Sequence, residues 1–287
     1  MKVGFLGFGE VASTLSGWLK EGGAEVYTSL KNRSIKTQVR AKESAVNICE
    51  DNQTMAELSD ILISNVTPAE AVNIAKEVGK YVNGIYADVN NISPETACQA
   101  LSYIENGKTV DAAIMGGVFK QRSPVLILAT GEYAEQFSTL NNYGLNIKVL
   151  KHELGHAKAL KMLRSYYTKG VSALLFESLY KAYNLGMDNE FLRCLEITEC
   201  PEFRESAISR VKNSTFHANR KSQEMDEVYK FMKDYHQDGL GNYKSVNGNQ
   251  HLTMVKSTLE FFKNISGIIK LDEKPKNYQE LFNLFKI

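Results

Sequence analysis

Short apolar runs alternate with amphipathic stretches over the first half of the chain. The apolar runs predict β-strands at Lys2–Leu6, Glu25–Ser29, Ala45–Ile48, Ile61–Asn65, Ile85–Val89, Val110–Met115, Val125–Ala129 and Asn146–Val149. Helical patterns separate most of these strands, for example at Val11–Glu21, Pro68–Lys80 and Pro94–Ile104. This alternation predicts right-handed crossovers and a mostly parallel sheet covered by helices on both faces. The tighter spacing of the last three runs predicts an antiparallel element at one edge.

Strand-like runs end at about His152, and helical periodicity replaces them. The predicted helical segments are Leu154–Leu185, Pro201–Tyr235, His251–Gly267 and Tyr278–Phe285. The Gly- and Asn-rich segment Gln237–Gln250 is typical of a loop or an insertion. The pattern therefore predicts an α/β fold class, with a mostly parallel sheet domain over residues 1–150 and an all-α domain over residues 151–287.

The first long helix has two distinct faces. Residues spaced by three and four form an apolar stripe, namely Leu160, Leu163, Tyr167, Val171 and Leu174. Polar residues follow the same spacing on the opposite face, namely Lys158, Lys161, Ser165, Lys169 and Ser172. The apolar stripe is expected to be buried. The polar face is open to two interpretations, exposure to water or the lining of a cleft between the two domains.

Composition excludes several classes of protein. A formal net charge of +1 gives no reason to expect nucleic acid or a membrane surface as a partner. No apolar run approaches the roughly 20 residues that span a bilayer, and the apolar stretch at Met1 is too short for a signal peptide. We therefore predict a cytoplasmic protein. The cysteines at positions 49, 98, 194 and 200 are interpreted as idle thiols, and no metal site is predicted.

A glycine motif follows the first predicted strand and opens the first helix. Residues Gly7–Ala12 read GFGEVA and match the G-x-G-x-x-A pattern. Gly7 permits the tight turn, Gly9 lets backbone amides approach a pyrophosphate, and Ala12 lets the helix pack on the strand. Glu10 and Val11 complete the first turn of the helix, where the pyrophosphate is expected to bind. The motif makes the sheet domain Rossmann-like and predicts a bound dinucleotide; a turn without a ligand is the alternative.

The end of the second strand distinguishes NADP from NAD. An NAD site carries an acidic residue about 20 residues after the first glycine, to bind the ribose 2′-hydroxyl. Residues Tyr27–Ser34 contain no carboxylate. Ser29 and Arg33 are instead expected to bind a 2′-phosphate, the latter through charge-assisted hydrogen bonds. The sequence therefore predicts NADP as the cofactor, with a solvated basic loop as the alternative.

Several segments, in order along the chain, resemble the β-hydroxyacid dehydrogenase superfamily of 3-hydroxyisobutyrate and 6-phosphogluconate dehydrogenases. Besides the glycine motif, they are Asn65–Pro68 (NVTP), Asp88–Pro94 (DVNNISP), Asp111–Gly117 (DAAIMGG) and Gly155–Lys161 (GHAKALK). The helical half resembles a subgroup whose phosphogluconate-dehydrogenase-like C-terminal domain has no known function. That likeness rests on Lys161–Ser165, Thr168–Gly170 and His217–Met225.

The resemblance implies roles for particular residues. Lys161 corresponds to the family's catalytic lysine and would act as general acid and base during hydride transfer. Such a lysine needs a lowered pKa, and Lys158, Arg164 and Lys169 are near enough in sequence to act as cationic neighbours. The cofactor contacts implied by the remaining motifs are Val66, Thr67 and Asn90. The family also implies a homodimer formed through the C-terminal halves.

Two residues depart from the family pattern. Met115 replaces the serine that contacts the substrate carboxylate, and a thioether cannot donate a hydrogen bond. Arg164 replaces an asparagine with a permanent cation. These changes favour a larger or more anionic small-molecule substrate. The candidate substrate contacts are Met115, Gly116, Gly117, Arg164, Ser165, His217 and Arg220.

The helical segment around His217 has its own pattern. His217, Arg220 and Glu224 share one face if the segment is a single helix. That face would contact substrate or a partner subunit, or it would simply be solvated with an Arg–Glu ion pair.

Two classes of function follow from the sequence. The first is an NADP-dependent oxidoreductase that transfers hydride between NADP(H) and a hydroxy-acid-like or related C=O substrate, thus acting on CH–OH groups. An NADP-dependent imine reductase is a variant of this class. The second is a catalytically inactive NADP-binding sensor or scaffold, which the changes at Met115 and Arg164 bring into consideration. The presence of Lys161 favours the enzyme.

Overall fold

The computed structural model describes residues 1–118, 124–199, 202–234, 236–237, 243–244, 253–268 and 274–285. The chain divides into two compact units, Met1–Lys161 and Met162–Ile287. No described helix is both long and apolar enough to cross a lipid bilayer.

The first unit contains an eight-stranded sheet with the order β3-β2-β1-β4-β5-β6-β7-β8. Its strands are β1 (Lys2–Leu6), β2 (Glu25–Ser29), β3 (Asn47–Cys49), β4 (Ile61–Ser64), β5 (Ile85–Asp88), β6 (Lys108–Ile114), β7 (Leu126–Thr130) and β8 (Asn146–Val149). Neighbouring strands are parallel except β6 and β7, which pair antiparallel with Asp111 opposite Thr130. The predicted strands and the antiparallel edge are confirmed, with small shifts in the ends of several strands.

Helices connect these strands and cover two apolar cores, one on each face of the sheet. The helices are α1 (Glu10–Glu21), α2 (Ile35–Glu43), α3 (Asn52–Leu58), α4 (Ala71–Val78), α5 (Pro94–Leu101) and α6 (Ala134–Phe137). The side chains of Ser34, Asp51 and Ser93 each accept a backbone N–H at the start of α2, α3 and α5. These caps explain where the helices begin, because they satisfy N–H groups that have no partner inside the helix.

The second unit is helical over most of its described residues. The helices are α7 (His156–Asn184), which begins in the first unit, α8 (Asp188–Thr198), α9 (Phe203–Phe216), α10 (Ala218–Asp234), α11 (Thr253–Ile268) and α12 (Tyr278–Asn283). The segment predicted as a loop contains a short antiparallel pair, β9 (His236–Gln237) with β10 (Tyr243–Lys244). Its other residues lie outside the described part of the chain. The predicted fold class, a mostly parallel α/β domain followed by helices, is confirmed.

The two faces of α7 differ from the sequence prediction. Four residues of the predicted apolar stripe are exposed, with 42% exposure at Leu160, 46% at Leu163, 68% at Tyr167 and 52% at Leu174. On the polar face, Lys158 and Lys169 are buried. Within a single chain the stripe is therefore largely exposed. Periodicity shows which residues share a face, but tertiary packing decides which face is covered.

Candidate dinucleotide site

The glycine turn lies where the strand order of the sheet reverses. β1 pairs with β2 on one side and β4 on the other, so a crevice opens at the carboxyl ends of β1 and β4. Gly7 has φ +85°, and a Cβ there would lie 2.5 Å from the carbonyl oxygen of Asn65. Gly9 precedes α1, and a Cβ there would meet no atom within 4 Å. No protein atom lies close to where a Cβ at Gly9 would be. The approach to the N-terminus of α1 is therefore open for a ligand.

A cavity of about 530 Å³ occupies this crevice. The glycine turn, α2 and the turn after β4 provide its lining, which consists of Gly7, Phe8, Gly9, Glu10, Val11, Arg33, Lys36, Thr37, Arg40, Asn65, Val66, Thr67 and Glu70. Of the predicted cofactor residues, Gly7, Gly9, Glu10, Val11, Arg33, Val66 and Thr67 are thus brought together. Ala12 is fully buried behind them and lets α1 pack on the sheet. A second cavity of about 360 Å³ shares Arg33 and Glu70 with the first.

Three cationic side chains line the first cavity. Arg33, Lys36 and Arg40 all line it, while Glu10 contributes a carboxylate 3.7 Å from the Arg40 guanidinium. The Nε of Arg33 is buried and has no hydrogen-bond partner. An unpaired buried donor is costly, so its position points to a ligand that accepts from it. Sequence reasoning missed Lys36 and Arg40, although their spacing from Arg33 by three and seven residues was the available signal.

Ser29 does not belong to this cavity. It is buried at 3% exposure at the end of β2 and is absent from the residues lining the cavity. Its hydroxyl accepts a long hydrogen bond of 3.4 Å from the backbone N–H of Lys31. A contact between Ser29 and a 2′-phosphate therefore stays a prediction, and Arg33 is the residue of the predicted pair that lines the cavity.

Asn90 supports the site from behind rather than lining it. Its side-chain oxygen accepts the backbone N–H of Val66 at 2.7 Å. Its amide nitrogen donates to Ser64 Oγ at 2.9 Å and to Asp88 Oδ2 at 2.8 Å. With 1% exposure and all these bonds made, Asn90 holds the turn after β4 in place. A direct cofactor contact by Asn90 stays a prediction, and the hydrogen bonds described here give it a supporting role.

Lys158, on the polar face of α7, is not exposed to water. Its side chain is 1% exposed, and its Nζ lies 3.1 Å from Asp88 Oδ1 and 3.4 Å from Asp111 Oδ1. It also donates to the backbone oxygens of Asp88 and Ala112. The two carboxylates offset its charge, so Lys158 is not the uncompensated cationic neighbour expected for Lys161.

The remaining candidates are distributed over the start of α7 and the end of β6. Lys161 is half-buried, one turn after Lys158, and is followed by exposed Arg164 and half-buried Ser165. Met115 packs beside a small cluster that includes Ala113 and Ala157. Gly116 and Gly117 are exposed, and a Cβ on Gly117 would meet nothing within 4 Å.

The second unit carries a group of cations around α10. Lys169 is buried and pairs with Glu224 at 2.9 Å, and Arg220 lies 3.6 Å from the same carboxylate. Lys221 donates to Ser214 Oγ at 2.9 Å and lies 5.4 Å from the ring centre of Phe262. Burial, and secondarily the charge of Lys169, lowers the pKa of Lys221 to about 8. Sequence reasoning did not single out Lys221.

His217, Arg220 and Glu224 lie at and just before the start of α10. His217 immediately precedes α10, and its backbone carbonyl oxygen accepts the backbone N–H of Lys221. Arg220 is mostly exposed and pairs with Glu224, as the solvated alternative expected.

Comparison with known proteins agrees with this architecture. Residues 2–91 match the family model described as "NADP oxidoreductase coenzyme F420-dependent", and residues 182–263 match a "Domain of unknown function (DUF1932)". An uncharacterized 28.5 kDa protein of Methanothermus fervidus is 41% identical over 92% of this chain and 99% of its own length. The chain belongs to the β-hydroxyacid dehydrogenase superfamily. Within it, the chain falls in the subgroup with the DUF1932 C-terminal domain.

Solved structures place this member of the superfamily among 3-hydroxyacid dehydrogenase folds. The conserved protein MTH1747 of unknown function is 44% identical, with a TM-score of 0.79 over 93% of this chain and 97% of its own. Its structure is described as similar to 3-hydroxyacid dehydrogenases. A Mycobacterium tuberculosis 3-hydroxyisobutyrate dehydrogenase shares the fold at 13% identity, with a TM-score of 0.75 over 100% and 99% of the chains. As a member of this superfamily, the chain is classed with the NAD(P)-dependent oxidoreductases.

Proposed function

We propose that the chain is an NADP-dependent oxidoreductase that transfers hydride between NADP(H) and a hydroxy-acid-like or related C=O substrate. The observation that carries the proposal is the cavity at the N-terminus of α1, where Arg33, Lys36 and Arg40 meet and no carboxylate ends β2. The open backbone at Gly9 fits a pyrophosphate, and the unpartnered Nε of Arg33 fits a phosphate oxygen.

When bound, NADPH supplies the hydride. In our proposal Lys161 supplies the proton to the carbonyl oxygen as the hydride arrives, or removes the hydroxyl proton in the reverse direction. Lys158 is not suited to this role, because its ammonium group is enclosed by two carboxylates and two backbone oxygens. The position of Lys161 at the end of the motif Gly155–Lys161, which resembles the family's catalytic segment, supports it as the proton donor.

Preference for NADPH over NADH is the first expected result. We expect NADPH to bind at least about tenfold tighter, equivalent to about 1.4 kcal/mol, because a 2′-phosphate gains charge-assisted contacts at Arg33. Arg33→Ala should weaken NADPH binding and leave NADH binding nearly unchanged in a fluorescence titration. Lys42→Ala removes an exposed cation of α2 that does not line the cavity and serves as the control. Equal affinities for the two dinucleotides in the wild type would refute the preference.

An anionic substrate is the second element of the proposal. Lys169, Arg220 and Lys221 place three cations around the single carboxylate of Glu224. No described carboxylate forms an ion pair with Lys221, whose ammonium is bonded to the hydroxyl of Ser214. Lys221 is half-buried and shares the nearby carboxylate of Glu224 with two other cations, so we assign the acidic group of the substrate to this cluster.

This assignment predicts a pH dependence. Lys221 has a pKa of about 8, so it is charged below that pH and neutral above it. The KM for a keto-acid substrate should therefore rise about tenfold between pH 7 and pH 9, the scale of losing one charge-assisted hydrogen bond. Lys221→Arg should flatten the profile, because a guanidinium keeps its proton. The control is Lys230→Arg, which replaces an exposed lysine that pairs with Asp226. This variant should retain the wild-type dependence of KM on pH. A flat wild-type KM across this range would contradict the assignment.

A homodimer is the third element. The exposed stripe Leu160, Leu163, Tyr167 and Leu174 on α7 presents large apolar side chains in a row, which is typical of a surface covered by a partner. We expect light scattering at micromolar concentration to give twice the chain mass of 32.2 kDa.

Leu163→Glu should convert this dimer to a monomer, because it places a charge in the apolar stripe. The matched control is Ile197→Glu on α8, whose side chain is 85% exposed and lies outside the stripe. A wild-type protein that is monomeric, or a dimer indifferent to Leu163→Glu, would count against this interface.

A further inference from the structure

A buried polar network surrounds the ammonium group of Lys158. Lys158, Asp88 and Asp111 are each at most 1% exposed. The ammonium nitrogen has two carboxylate oxygens at 3.1 and 3.4 Å and the carbonyl oxygen of Asp88 at 2.8 Å, in addition to the carbonyl of Ala112. The ammonium group donates to the two carbonyl oxygens, and the two carboxylates compensate its charge. Lys158 is therefore fixed between the end of β5 and the middle of β6.

Asp111 connects this centre to the start of α7. Its Oδ2 accepts the backbone N–H groups of Gly155 and Ala157 at 3.1 Å and that of Lys158 at 3.3 Å. The hydroxyl of Thr130 on β7 donates to the same oxygen at 3.2 Å. The carboxylate thus caps α7 at its positive end, where the unpaired N–H groups and the helix dipole favour an anion. Oδ1 accepts no hydrogen bond and relies on its ion pair with Lys158.

Asp88 connects the same centre to the cavity. Its Oδ1 accepts the backbone N–H of Asn90 at 3.0 Å, and its Oδ2 accepts the Asn90 amide at 2.8 Å. Asn90 in turn accepts the N–H of Val66, which lines the cavity. An unbroken path of hydrogen bonds and an ion pair therefore runs from Val66 through Asn90, Asp88 and Lys158 to the first turn of α7.

We propose that Lys158 is a positioning residue that fixes the first turn of α7, and with it Lys161, relative to the turn that lines the dinucleotide cavity. Lys161 follows Lys158 by three residues, so the direction of its side chain is set by how that turn of the helix is anchored. Buried polar groups tolerate little displacement, because any lost partner leaves a group without a hydrogen bond. The role of Lys161 in this statement rests on the proposed function, whereas the linkage between α7 and the cavity does not.

The test compares Lys158→Met with Lys20→Met by hydrogen–deuterium exchange and NADPH titration. Lys20 also donates to two backbone oxygens, those of Ser44 and Ala45, but lies outside the network, so it controls for the loss of a lysine that bonds backbone oxygens. We expect Lys158→Met to raise exchange at least tenfold both at Gly155–Lys158 and at Val66, and to weaken NADPH binding about tenfold. Lys158→Arg, which keeps the charge, should restore part of the NADPH affinity. Lys20→Met should leave Val66 exchange and NADPH affinity within twofold of the wild type.

Faster exchange confined to Gly155–Lys158, with Val66 and NADPH affinity unchanged, would overturn the linkage. If Lys158→Met does not fold, Asn90→Ala takes its place, because it cuts the path on the cavity side of Asp88. That variant should weaken NADPH binding and raise exchange at Gly155–Lys158, and unchanged exchange there would equally overturn the proposal. If the wild type binds no NADPH, the proposed function fails, while the exchange measurements still decide the linkage.

Discussion

Replacing Lys161 by alanine is expected to lower kcat by about 10²–10⁴, the usual scale for losing a general acid. The ammonium group would protonate the developing alkoxide, and the truncated variant leaves only water for that task. NADPH affinity should stay within a few-fold of the wild type, because the cavity is lined by the glycine turn, α2 and the turn after β4 rather than by Lys161. Steady-state kinetics together with a NADPH titration measure both quantities.

Lys161→Arg distinguishes proton transfer from simple charge stabilisation. A guanidinium keeps the positive charge but does not release its proton at neutral pH, so this variant should remain nearly as slow as Lys161→Ala. Recovery of most of the wild-type kcat by arginine would mean that charge alone is needed. Wild-type turnover by Lys161→Ala would assign proton transfer to another group and refute the role given to this lysine.

Lys158→Met is expected to reduce the free energy of unfolding by about 3–5 kcal/mol, the usual cost of removing one partner from a buried ion pair. Methionine has nearly the volume of the lysine stem, so the main loss is electrostatic: Asp88 and Asp111 would face each other without a counter-ion. Such a loss is a large share of the stability of an ordinary domain, about 5–15 kcal/mol. Urea unfolding followed by circular dichroism measures it.

Two further variants identify the cause of that loss. Lys20→Met removes a lysine that bonds only backbone oxygens and should cost about 1 kcal/mol. Adding Asp111→Asn to Lys158→Met removes one of the two unpaired charges and should restore part of the stability. A loss below about 1 kcal/mol for Lys158→Met, or further destabilisation by the second substitution, would show that the ion pairs contribute little.

Much of the first unit follows from local sequence pattern. The eight strands are short apolar runs. The first turn requires glycine because Gly7 has a positive φ and no room for a Cβ. Such features depend on a few adjacent residues. For that reason, the order of elements and the position of the cavity could be predicted without knowledge of any long-range contact.

The sequence does not determine side chains whose environment is made by distant segments. Lys158 meets Asp88 and Asp111, which are 70 and 47 residues away in the chain, and helical spacing alone left open whether its face is solvated or lines a cleft. Ser29 and Asn90 were placed by motif position, but their burial is set by the packing of the sheet. Helix α8 was not predicted from the sequence, and Leu192 is its one buried residue.

Oxidation of NADPH, followed at 340 nm with a panel of keto acids, aldehydes and cyclic imines, tests the central claim most directly. The account predicts that wild-type protein oxidises NADPH with at least one keto acid or aldehyde, and that Lys161→Ala slows this reaction at least about 100-fold. Turnover of cyclic imines alone would identify an imine reductase instead. Binding of NADPH without oxidation by any member of the panel would contradict an enzymatic role and favour a dinucleotide-binding sensor or scaffold.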